Sequence, residues 1–424
     1  MKKFFLALLM VAAMVVSFSA CSKNVSNSGT TPGKSASTKT GEAEPVTLKI
    51  WAPENQIQTG TLDSMTKSFQ ALHPEWNITF NVETQGEDTL KDEILKDVSA
   101  AGDVFFFASD QLNELINAGA IARLGGSTEE MVKSTMEESV VKTVSKDDAI
   151  YGIPFTHNTF IMYYDKSLLS KEDVKSIEGI MAKDTGDKVY NFCFDSAAGW
   201  KLGAWYYGAG LTIYGESQTD FAAGANWNNP TGVAVTNYLI DLINNPKTAF
   251  ADDVSLSELT ADHRIGAWFD GSWNYNLYKN ALGEDLGLAV IPTFNPDGNN
   301  YQLKSFYGSK AIGVNSQSKY PAAAVAFAAY LGSEDMQLER YEKSGQVPTN
   351  LKAGESEELQ ADEVAKVMIE EVKTASVMQP ASVEFSSKYW ANVAGIATEI
   401  KSGELNKENV QKKLDTFVDA LKVE

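Results

Sequence analysis

Apolar and polar residues along this chain follow two different periods in turn. Segments in which apolar positions alternate with polar ones predict strands, and segments in which they recur every three or four positions predict helices. Strands are predicted at residues 46–51, 78–82 and 103–107, and helices between them at residues 62–72 and 90–99. This strand–helix alternation predicts an α/β fold in which mainly parallel sheets are flanked by helices.

The stretch of residues 149–165 separates two parts of the chain that differ in their pattern of strand-like and helix-like segments. Pro154 fixes its own φ angle and keeps Ile153 extended, so the chain is expected to pass this point as a stiff connector. Residues 159–164 are β-branched or aromatic and predict a buried strand. We interpret this stretch as the first crossing between two lobes, with the polar residues 156–158 facing the gap between them.

The remaining residues repeat the alternation and complete a second lobe. The length of 424 residues is too great for one compact core and suits two lobes of ordinary domain size. A second crossing is predicted around Gly308, which lies in the middle of an aromatic segment. Strands are predicted at 190–194, 265–269 and 286–291, and helices at 199–207, 232–244, 321–331, 335–344, 361–374 and 390–400.

The first twenty residues have the pattern of a targeting segment. Lys2 and Lys3 precede an apolar run over residues 4–16, which is shorter than the roughly 20 residues of a membrane-spanning helix. Residues 18–21 (FSAC) resemble a bacterial lipoprotein box, in which Cys21 becomes the lipidated first residue. The alternative is an ordinary signal peptide with an incidental cysteine.

Residues 21–45 are rich in Ser, Thr, Gly and Asn and predict a flexible tether, whose reach is roughly 25–30 Å by coil scaling. We expect the folded part to lie at the extracellular face of the cell membrane, attached through the lipid anchor alone. The other cysteine, Cys193, is expected to be a small buried hydrophobe.

Composition restricts the possible partners. The net charge is −20, from 36 basic and 56 acidic side chains, and a surface this acidic repels nucleic acids and anionic membranes. With three histidines and two cysteines, a zinc site with several His or Cys ligands is nearly excluded. We therefore expect no metal and no cofactor.

The sequence lacks the familiar catalytic motifs. It has no G-x-S-x-G elbow, no phosphate-binding G-x-x-x-x-G-K, no H-E-x-x-H and no calcium loop. Acidic residues are so frequent that a carboxylate pair carries no information about glycoside hydrolysis. Among the histidines His157 has a plausible place in a ligand site, although a structural role is an equal alternative. The expected activity is binding without catalysis.

Aromatic residues give the most informative pattern. Flat rings pack against the apolar faces of sugar rings, while carboxylates and amides form hydrogen bonds with the hydroxyls. Trp51 and Trp268 lie inside strand patterns and are assigned to the core. For any single ring a core position is the alternative, but several rings at element ends favour a carbohydrate pocket. Four aromatic residues lie at predicted strand ends or helix starts beside polar side chains: Phe107, Trp200, Trp273 and Trp390.

Several loose motifs occur in a recognisable order. They include GDVFFFASD at 102–110, YGIP at 151–154, IGAWFDGSW at 265–273, AVIP at 289–292 and GQVP at 345–348. In this order and spacing the chain resembles the extracellular solute-binding proteins of sugar ABC importers, the maltose-binding-protein-like family. The resemblance covers residues 46–424, and the lipoprotein start is typical of Gram-positive members.

The resemblance implies two α/β lobes that close on a ligand about hinge crossings. The N-terminal lobe would comprise residues 46–153 and 311–356, and the C-terminal lobe residues 154–310 and 357–424. A third crossing would lie around residues 356–360. The implied function is capture of an oligosaccharide, such as a maltodextrin, by a monomer that delivers it to the permease subunits. Two alternatives are a surface glycan hydrolase and a binding protein for a peptide, a polyamine or another non-sugar solute.

The resemblance also implies ligand contacts at particular positions. Phe107 and Gln111 stand where maltose-binding protein has Trp and Arg, and Thr156 stands at a position that is acidic there, so a different hydrogen-bonding pattern is expected. Trp205 is the alternative to Trp200 for the ring at the helix start. The implied contacts are Glu54, Asn55, Gln56, Phe107, Asp110, Gln111, Thr156, His157, Asn158, Trp200, Trp273, Tyr275 and Trp390.

Overall fold

The computed structural model describes residues 45–195, 199–216, 218–251 and 255–423. The predicted signal peptide, Cys21 and the tether up to residue 44 lie outside the described residues. Where a helix could be examined, none is both long and apolar enough to cross a membrane.

Fifteen strands occur in the described part of the chain. They are β1 Pro45–Ala52, β2 Asn77–Thr84, β3 Val104–Ala108, β4 Ser145–Lys146, β5 Ala149–Ile150, β6 Ile153–Asn158, β7 Phe160–Asp165, β8 Tyr190–Phe194, β9 Thr248–Phe250, β10 Ile265–Gly271, β11 Leu286–Ala289, β12 Thr293–Phe294, β13 Tyr301–Gln302, β14 Ser305–Val314 and β15 Ser376–Met378.

Eighteen α-helices are found in the same residues. They are α1 Glu54–Gln58, α2 Thr61–Leu72, α3 Leu90–Ile94, α4 Leu112–Asn117, α5 Gly126–Thr135, α6 Glu138–Thr143, α7 Ile177–Ala182, α8 Gly199–Gly208, α9 Pro230–Ile243, α10 Leu256–Ala261, α11 Tyr275–Leu282, α12 Pro321–Leu331, α13 Glu334–Ser344, α14 Leu351–Gly354, α15 Glu357–Ala361, α16 Glu363–Thr374, α17 Val383–Ser402 and α18 Val410–Ala420.

The first sheet has the strand order β15-β14-β3-β1-β2, and β6 also pairs with β14. Strand β1 is parallel to both β2 and β3, whereas β14 is antiparallel to β3 and β6. All five residues of β3 are buried, as expected for a strand that is covered on both faces. The apolar positions Leu62, Met65 and Phe69 of α2 pack into the same core as Leu48 and Ile50 of β1.

The second sheet has the order β11-β7-β10-β8-β9. Strand β10 is parallel to β8 and antiparallel to β7. Helices α8, α9 and α17 contribute to the apolar core on one face, and α10, α11 and α16 to the core on the other. The predicted two-lobed α/β fold is thus confirmed, with one sheet in each lobe. We call the lobe with the first sheet the first lobe and the other the second lobe.

The sheets are mixed and not mainly parallel as predicted. Strand β7 is antiparallel to β10, and β14 is antiparallel to β3 and β6. Strand β6 belongs to the first sheet and β7 to the second, and Thr159 alone separates them. The Thr159 side chain is buried and lies 3.0 Å from the hydroxyl of Ser305, where β14 begins. Strand β14 then continues through Gly308 along the first sheet. The junction of β6 and β7 therefore meets the start of β14 in one hydrogen-bonded cluster, and Gly308, where the second crossing was predicted, lies within the first sheet.

Two aromatic residues lie elsewhere than predicted. Trp390 was expected at the start of a helix, but α17 begins at Val383, where the Ser382 side chain accepts a 3.1 Å hydrogen bond from the Phe385 amide. The N-cap serine therefore moves the helix start towards the N-terminus. Trp51 was assigned to the core, but it is only partly buried; Trp268 is fully buried as predicted.

Candidate ligand-binding cleft

A cavity of about 430 Å³ lies beyond the carboxyl ends of β2, β3 and β10, within the usual size range of small-molecule sites. Residues from both lobes and from the crossing strands β6 and β14 contribute to its lining. These residues are Glu87, Asp88, Ala108, Asp110, Gln111, Asn158, Trp200, Trp273, Lys310, Gln379 and Trp390.

Three tryptophans form the second-lobe side of this cavity, and we call them the aromatic wall: Trp200, Trp273 and Trp390. The rings of Trp200 and Trp273 are stacked, with centroids 6.0 Å apart and planes 19° apart. Phe160 supports Trp200 edge-on at 4.9 Å, and Tyr389 supports Trp390 in the same way at 4.8 Å. Trp273 is 45% exposed, and the other tryptophans of the protein are partly or fully buried. The structure thus brings together three of the four predicted stacking rings.

The position of Trp273 follows from the turn after β10. The Asp270 carboxylate accepts hydrogen bonds from the Gly271 amide at 2.8 Å and from Asn274 Nδ2 at 2.9 Å, which fixes this turn. Gly271 has no side chain, and a Cβ atom there would overlap the Trp273 ring. Glycine is therefore required for the ring to lie against the backbone.

Carboxylates form the first-lobe side, which we call the polar wall: Glu87, Asp88 and Asp110. The predicted contact Gln111 fixes this wall, because its Nε2 donates to the carbonyls of Glu87 and Asp88, each at 2.8 Å. Its Oε1 accepts from the Lys91 amide at 3.1 Å. The Gln111 amide is therefore already engaged in positioning the loop after β2. Burial raises the pKa of the Asp110 carboxyl.

Lys310 lies between the two walls. Its Nζ is 2.6 Å from Glu87 Oε2 and 5.1 Å from the centroid of the Trp273 ring. An ammonium over an aromatic face is attracted by the ring quadrupole. A second lysine, Lys201, lies next to Trp200 in sequence and pairs with Asp195 at 3.1 Å.

The predicted residues after the first crossing lie in three different places. Asn158 lines the cleft. Thr156 is buried and donates to the Val347 carbonyl at 2.8 Å. His157 lines a different cavity of about 620 Å³, together with Tyr307, because neighbouring side chains of a strand point to opposite faces. Burial lowers the pKa of His157 to about 4, so its ring is neutral at neutral pH.

The structure places Phe107 in the core and not in the cleft. Its ring is fully buried, lies edge-on to Phe105 at 6.0 Å and packs over Gly152. Because β3 is covered on both faces, Phe107 offers no ring face to a ligand. We correct the prediction of a stacking role for this residue on that ground.

The predicted contacts in the loop after β1 do not line the cleft. Glu54 and Asn55 are exposed on α1. Gln56 is buried, donates to Gln346 Oε1 and accepts from Arg340 Nε at 3.1 Å. The Gln56 side-chain amide therefore provides a hydrogen-bond acceptor for the buried Arg340 guanidinium and is not available to a ligand.

Tyr275 also lies outside the cavity lining. It is partly buried and packs against the core on the α11 face of the second sheet. The Trp205 alternative to Trp200 is excluded from the cleft as well, since its ring is buried among Tyr238 and Phe294.

Sequence reasoning missed Ala108 and four polar cleft residues: Glu87, Asp88, Lys310 and Gln379. Glu87 and Asp88 lie in the loop after β2. Acidic residues occur in many loops of so acidic a chain, so nothing in the sequence distinguishes these two. Lys310 and Gln379 depend on the pairing of β14 with its neighbours, since the backbone N–H of Gln379 donates to the Tyr307 carbonyl at 2.8 Å. Within the described residues no group of three or more His, Cys, Asp or Glu side chains could hold a metal ion.

Comparison with known families decides the class of protein. Residues 64–366 match the family described as bacterial extracellular solute-binding protein. The chain belongs to this family. A member of this family binds a solute outside the cell and is not an enzyme, so the predictions of a binding protein and of no catalytic activity are confirmed.

Curated relatives of this solute-binding protein cover most of the chain. The maltodextrin-binding protein MdxE of Bacillus subtilis is 25% identical over 342 residues, which are 76% of this chain and 77% of the relative. A maltooligosaccharide ABC transporter solute-binding lipoprotein of Streptococcus pneumoniae is 23% identical over 322 residues, covering 71% of this chain and 72% of the relative.

Solved structures agree with the family. One that was obtained with acarbose is 40% identical, has a TM-score of 0.82 and covers 89% of this chain and 98% of its own. The maltodextrin-binding protein MalE1 from L. casei BL23, solved without ligand, is 25% identical with a TM-score of 0.80 and covers 89% and 99%. The resemblance to the maltose-binding-protein-like fold is thereby confirmed.

Proposed function

We propose that this protein captures an oligosaccharide of the maltodextrin class between its two lobes and delivers it to the permease of an ABC importer. The proposal depends on one observation: Trp200, Trp273 and Trp390 line the same cleft as several carboxylates. Apolar ring faces next to hydrogen-bond acceptors match the two sides of a sugar, whose ring faces are apolar and whose edges carry hydroxyls.

The energetics are adequate for such binding. Each tryptophan that covers a sugar ring would contribute on the order of 1–2 kcal/mol through buried apolar area. Three rings along one wall suit a ligand with several sugar units better than a monosaccharide. We assign the ligand contacts to Trp200, Trp273, Trp390, Asp110 and Asn158. The other predicted contacts lie outside the cleft lining, except for Gln111, whose amide is engaged in hydrogen bonds within the protein.

The names of relatives support the ligand class. The relatives from B. subtilis and S. pneumoniae are named for maltodextrin and maltooligosaccharide, and the 40% identical structure was obtained with acarbose. Another B. subtilis relative, 21% identical, is named a galactooligosaccharide-binding protein. A galactooligosaccharide is therefore the competing ligand within the same function.

We further propose that the lobes move as units. The first lobe would carry the first sheet, so the predicted boundaries at residues 153 and 310 move, because β6 and all of β14 pair within that sheet. Two of the crossings would lie at Thr159, between β6 and β7, and just before Ser305, where β14 begins, with the third near residues 356–360. A sugar that contacts both walls would shift the population towards the closed form, which the permease would recognise.

The membrane anchor is a separate proposal. Lipidation at Cys21 would hold the folded part near the membrane through the tether, with no other membrane contact. Replacement Cys21→Ala should move the protein from the detergent phase to the aqueous phase in a Triton X-114 partition and release it into the medium. Retention of the variant in the detergent phase would contradict lipidation at this residue.

A thermal-shift screen followed by calorimetry tests the ligand class. Glucose, maltose, maltotriose, maltotetraose and a galactooligosaccharide would be compared with a tetrapeptide and spermidine. A ligand at one hundred times its Kd stabilises the fold by about 2.7 kcal/mol, so binding is readily visible. We expect stabilisation by maltotriose and maltotetraose, with recovery of uncleaved sugar afterwards. Stabilisation by the peptide or spermidine alone would contradict the proposal, and cleavage products would indicate a hydrolase.

A further inference from the structure

Glu87 and Lys310 form a buried ion pair inside the cleft. Lys310 Nζ is 2.6 Å from Glu87 Oε2, and the side chains are only 17% and 7% exposed. The Glu87 backbone is also fixed, because its carbonyl accepts the Gln111 Nε2 hydrogen bond at 2.8 Å. Lys310 is fixed by β14, where it faces Ala108 on one neighbouring strand and Thr156 on the other. Neither residue has the freedom of a surface charge.

The second oxygen of Glu87 is unused. Glu87 Oε1 is buried and has no hydrogen-bond partner among the described residues. A buried charged oxygen without a donor is costly, since it has lost water and gained nothing in return. Glu87 lines the cleft, but its Oε1 has almost no accessible surface there, so a ligand donor reaches this oxygen once the carboxylate turns towards the cavity.

Lys310 retains hydrogen-bonding capacity as well. An ammonium group has three N–H donors, so it can keep Glu87 as a partner and still donate to a ligand oxygen. Its Nζ lies 5.1 Å from the centroid of Trp273, the most exposed ring of the aromatic wall. An acceptor oxygen and a donor ammonium therefore stand side by side next to a stacking surface.

We propose that Glu87 and Lys310 together recognise two neighbouring hydroxyls of the sugar ring that stacks on Trp273. One hydroxyl donates to Glu87 Oε1, and the next accepts from Lys310 Nζ. This inference rests on the proposed function and adds the residues that select for a vicinal diol. Because Glu87 belongs to the first lobe and Trp273 to the second, recognition of the diol also requires both lobes to contact the same ring.

Lys310 could act in the opposite way, by covering the Trp273 face and competing with sugar. The two roles predict opposite signs for Lys310→Met, which keeps the length of the side chain and removes the charge. Recognition of hydroxyls predicts weaker sugar binding, and competition predicts tighter binding.

The experiment is calorimetric titration of the full chain with maltotriose and with its single-deoxy analogues at the 2 and 3 positions. The variants are Lys310→Met and Glu87→Gln. The control is Lys407→Met, which breaks an exposed ion pair with Asp241 away from the cleft. Thermal unfolding of each variant, without sugar, reports whether the fold is kept.

We expect Lys310→Met and Glu87→Gln to weaken maltotriose binding about ten- to a hundredfold, as for loss of a charge-assisted hydrogen bond. The unaltered protein should bind each deoxy analogue more weakly than maltotriose. In each variant, this loss of affinity should disappear for one of the two deoxy positions. Lys407→Met should behave as the unaltered protein.

Equal or tighter maltotriose binding by Lys310→Met, or an unchanged deoxy penalty in both folded variants, would overturn this inference alone. If the unaltered protein bound no sugar, the proposed function would fail and this inference with it.

Discussion

The two walls of the cleft differ in chemistry and in how the fold supports them. The second lobe supplies Trp200 and Trp390, which pack against its core, and Trp273, which stacks on Trp200, whereas the first lobe supplies carboxylates on turns after β2 and β3. Apolar stacking depends on area and tolerates many sugar orientations, while hydrogen bonds to carboxylates depend on direction. We therefore expect ring substitutions to lower the affinity for every sugar, and substitutions in the polar wall to lower it unequally among sugars that differ in their hydroxyls.

Among substitutions outside the Glu87–Lys310 pair, the largest effect is expected from removing the aromatic wall. Trp273→Ala and Trp390→Ala should each weaken maltotetraose binding at least tenfold, because each ring contributes on the order of 1–2 kcal/mol of buried apolar area. Trp76→Ala is the control, since that ring stacks on His73 at 5.0 Å and does not line the cleft. Calorimetry measures all three. Unchanged affinity in both wall variants would remove these rings from the site.

A smaller effect is expected from moving one ring without removing it. Gly271→Ala places a Cβ atom in the space of the Trp273 ring and should displace it. We expect affinity to fall about three- to tenfold, as for a side chain held off its preferred rotamer at a cost of roughly 0.5–1.5 kcal/mol.

Gly395→Ala is the matched control for this substitution, because a Cβ atom in the middle of α17 meets nothing within 4 Å. It should leave sugar affinity unchanged and raise stability by roughly 0.5–1 kcal/mol. An equal loss of affinity in both variants would show that the effect is not specific to Trp273.

The polar wall should respond to pH. Burial raises the pKa of Asp110, so on acidification this carboxylate takes up a proton closer to neutrality than an ordinary aspartate and loses acceptor capacity. Sugar affinity should therefore fall as the pH is lowered. Asp110→Asn should bind about three- to tenfold more weakly at neutral pH and lose part of the pH dependence. The same pH profile in both proteins would contradict a role for the Asp110 charge.

The smallest effect on affinity is expected beneath the crossings. Glu371 is fully buried and accepts from Ser305 Oγ at 2.8 Å and from the Ile291 amide at 2.9 Å, and burial raises its pKa to about 8. Its contribution to stability is complete below the ordinary glutamate pKa and is lost as the pH rises through about 8.

Glu371→Gln should remove this loss. Relative to the unaltered protein, the variant should gain roughly 2–4 kcal/mol in the free energy of unfolding between pH 5 and pH 9, with sugar affinity at neutral pH unchanged. Glu370→Gln, an exposed neighbour on α16, is the matched control and should show no such gain. Denaturant unfolding at the two pH values measures this difference in the free energy of unfolding. The same pH dependence in both variants would contradict a buried, protonated Glu371 carboxyl.

Local patterns predicted much of the fold and the aromatic wall. The apolar runs that became β3, β7 and β10 were visible in sequence, and so were the rings at 200, 273 and 390. Phe107 was misassigned because β3 is covered on both faces, which buries the ring near the end of the strand as fully as those in its middle. Trp390 was misplaced within its helix because the capping role of Ser382 was overlooked.

Of the polar wall, Asp110 was predicted, whereas Glu87 and Asp88 could not be predicted from local patterns. Carboxylates are common in this chain, and what distinguishes Glu87 is its pairing with Lys310, more than two hundred residues away along the sequence. That pairing depends on β14 lying between β3 and β6 in the first sheet and on Gln111 holding the loop after β2. Long-range strand pairing carries no local periodicity, so its consequences emerge only in three dimensions.

The most direct test of the account is a crystal structure of the protein with maltotetraose. The account predicts sugar rings stacked on Trp273 and Trp390, with hydroxyls within hydrogen-bond distance of Asp110 and Glu87. Sugar bound instead in the cavity that His157 and Tyr307 line on the other face of the crossing strands would contradict it.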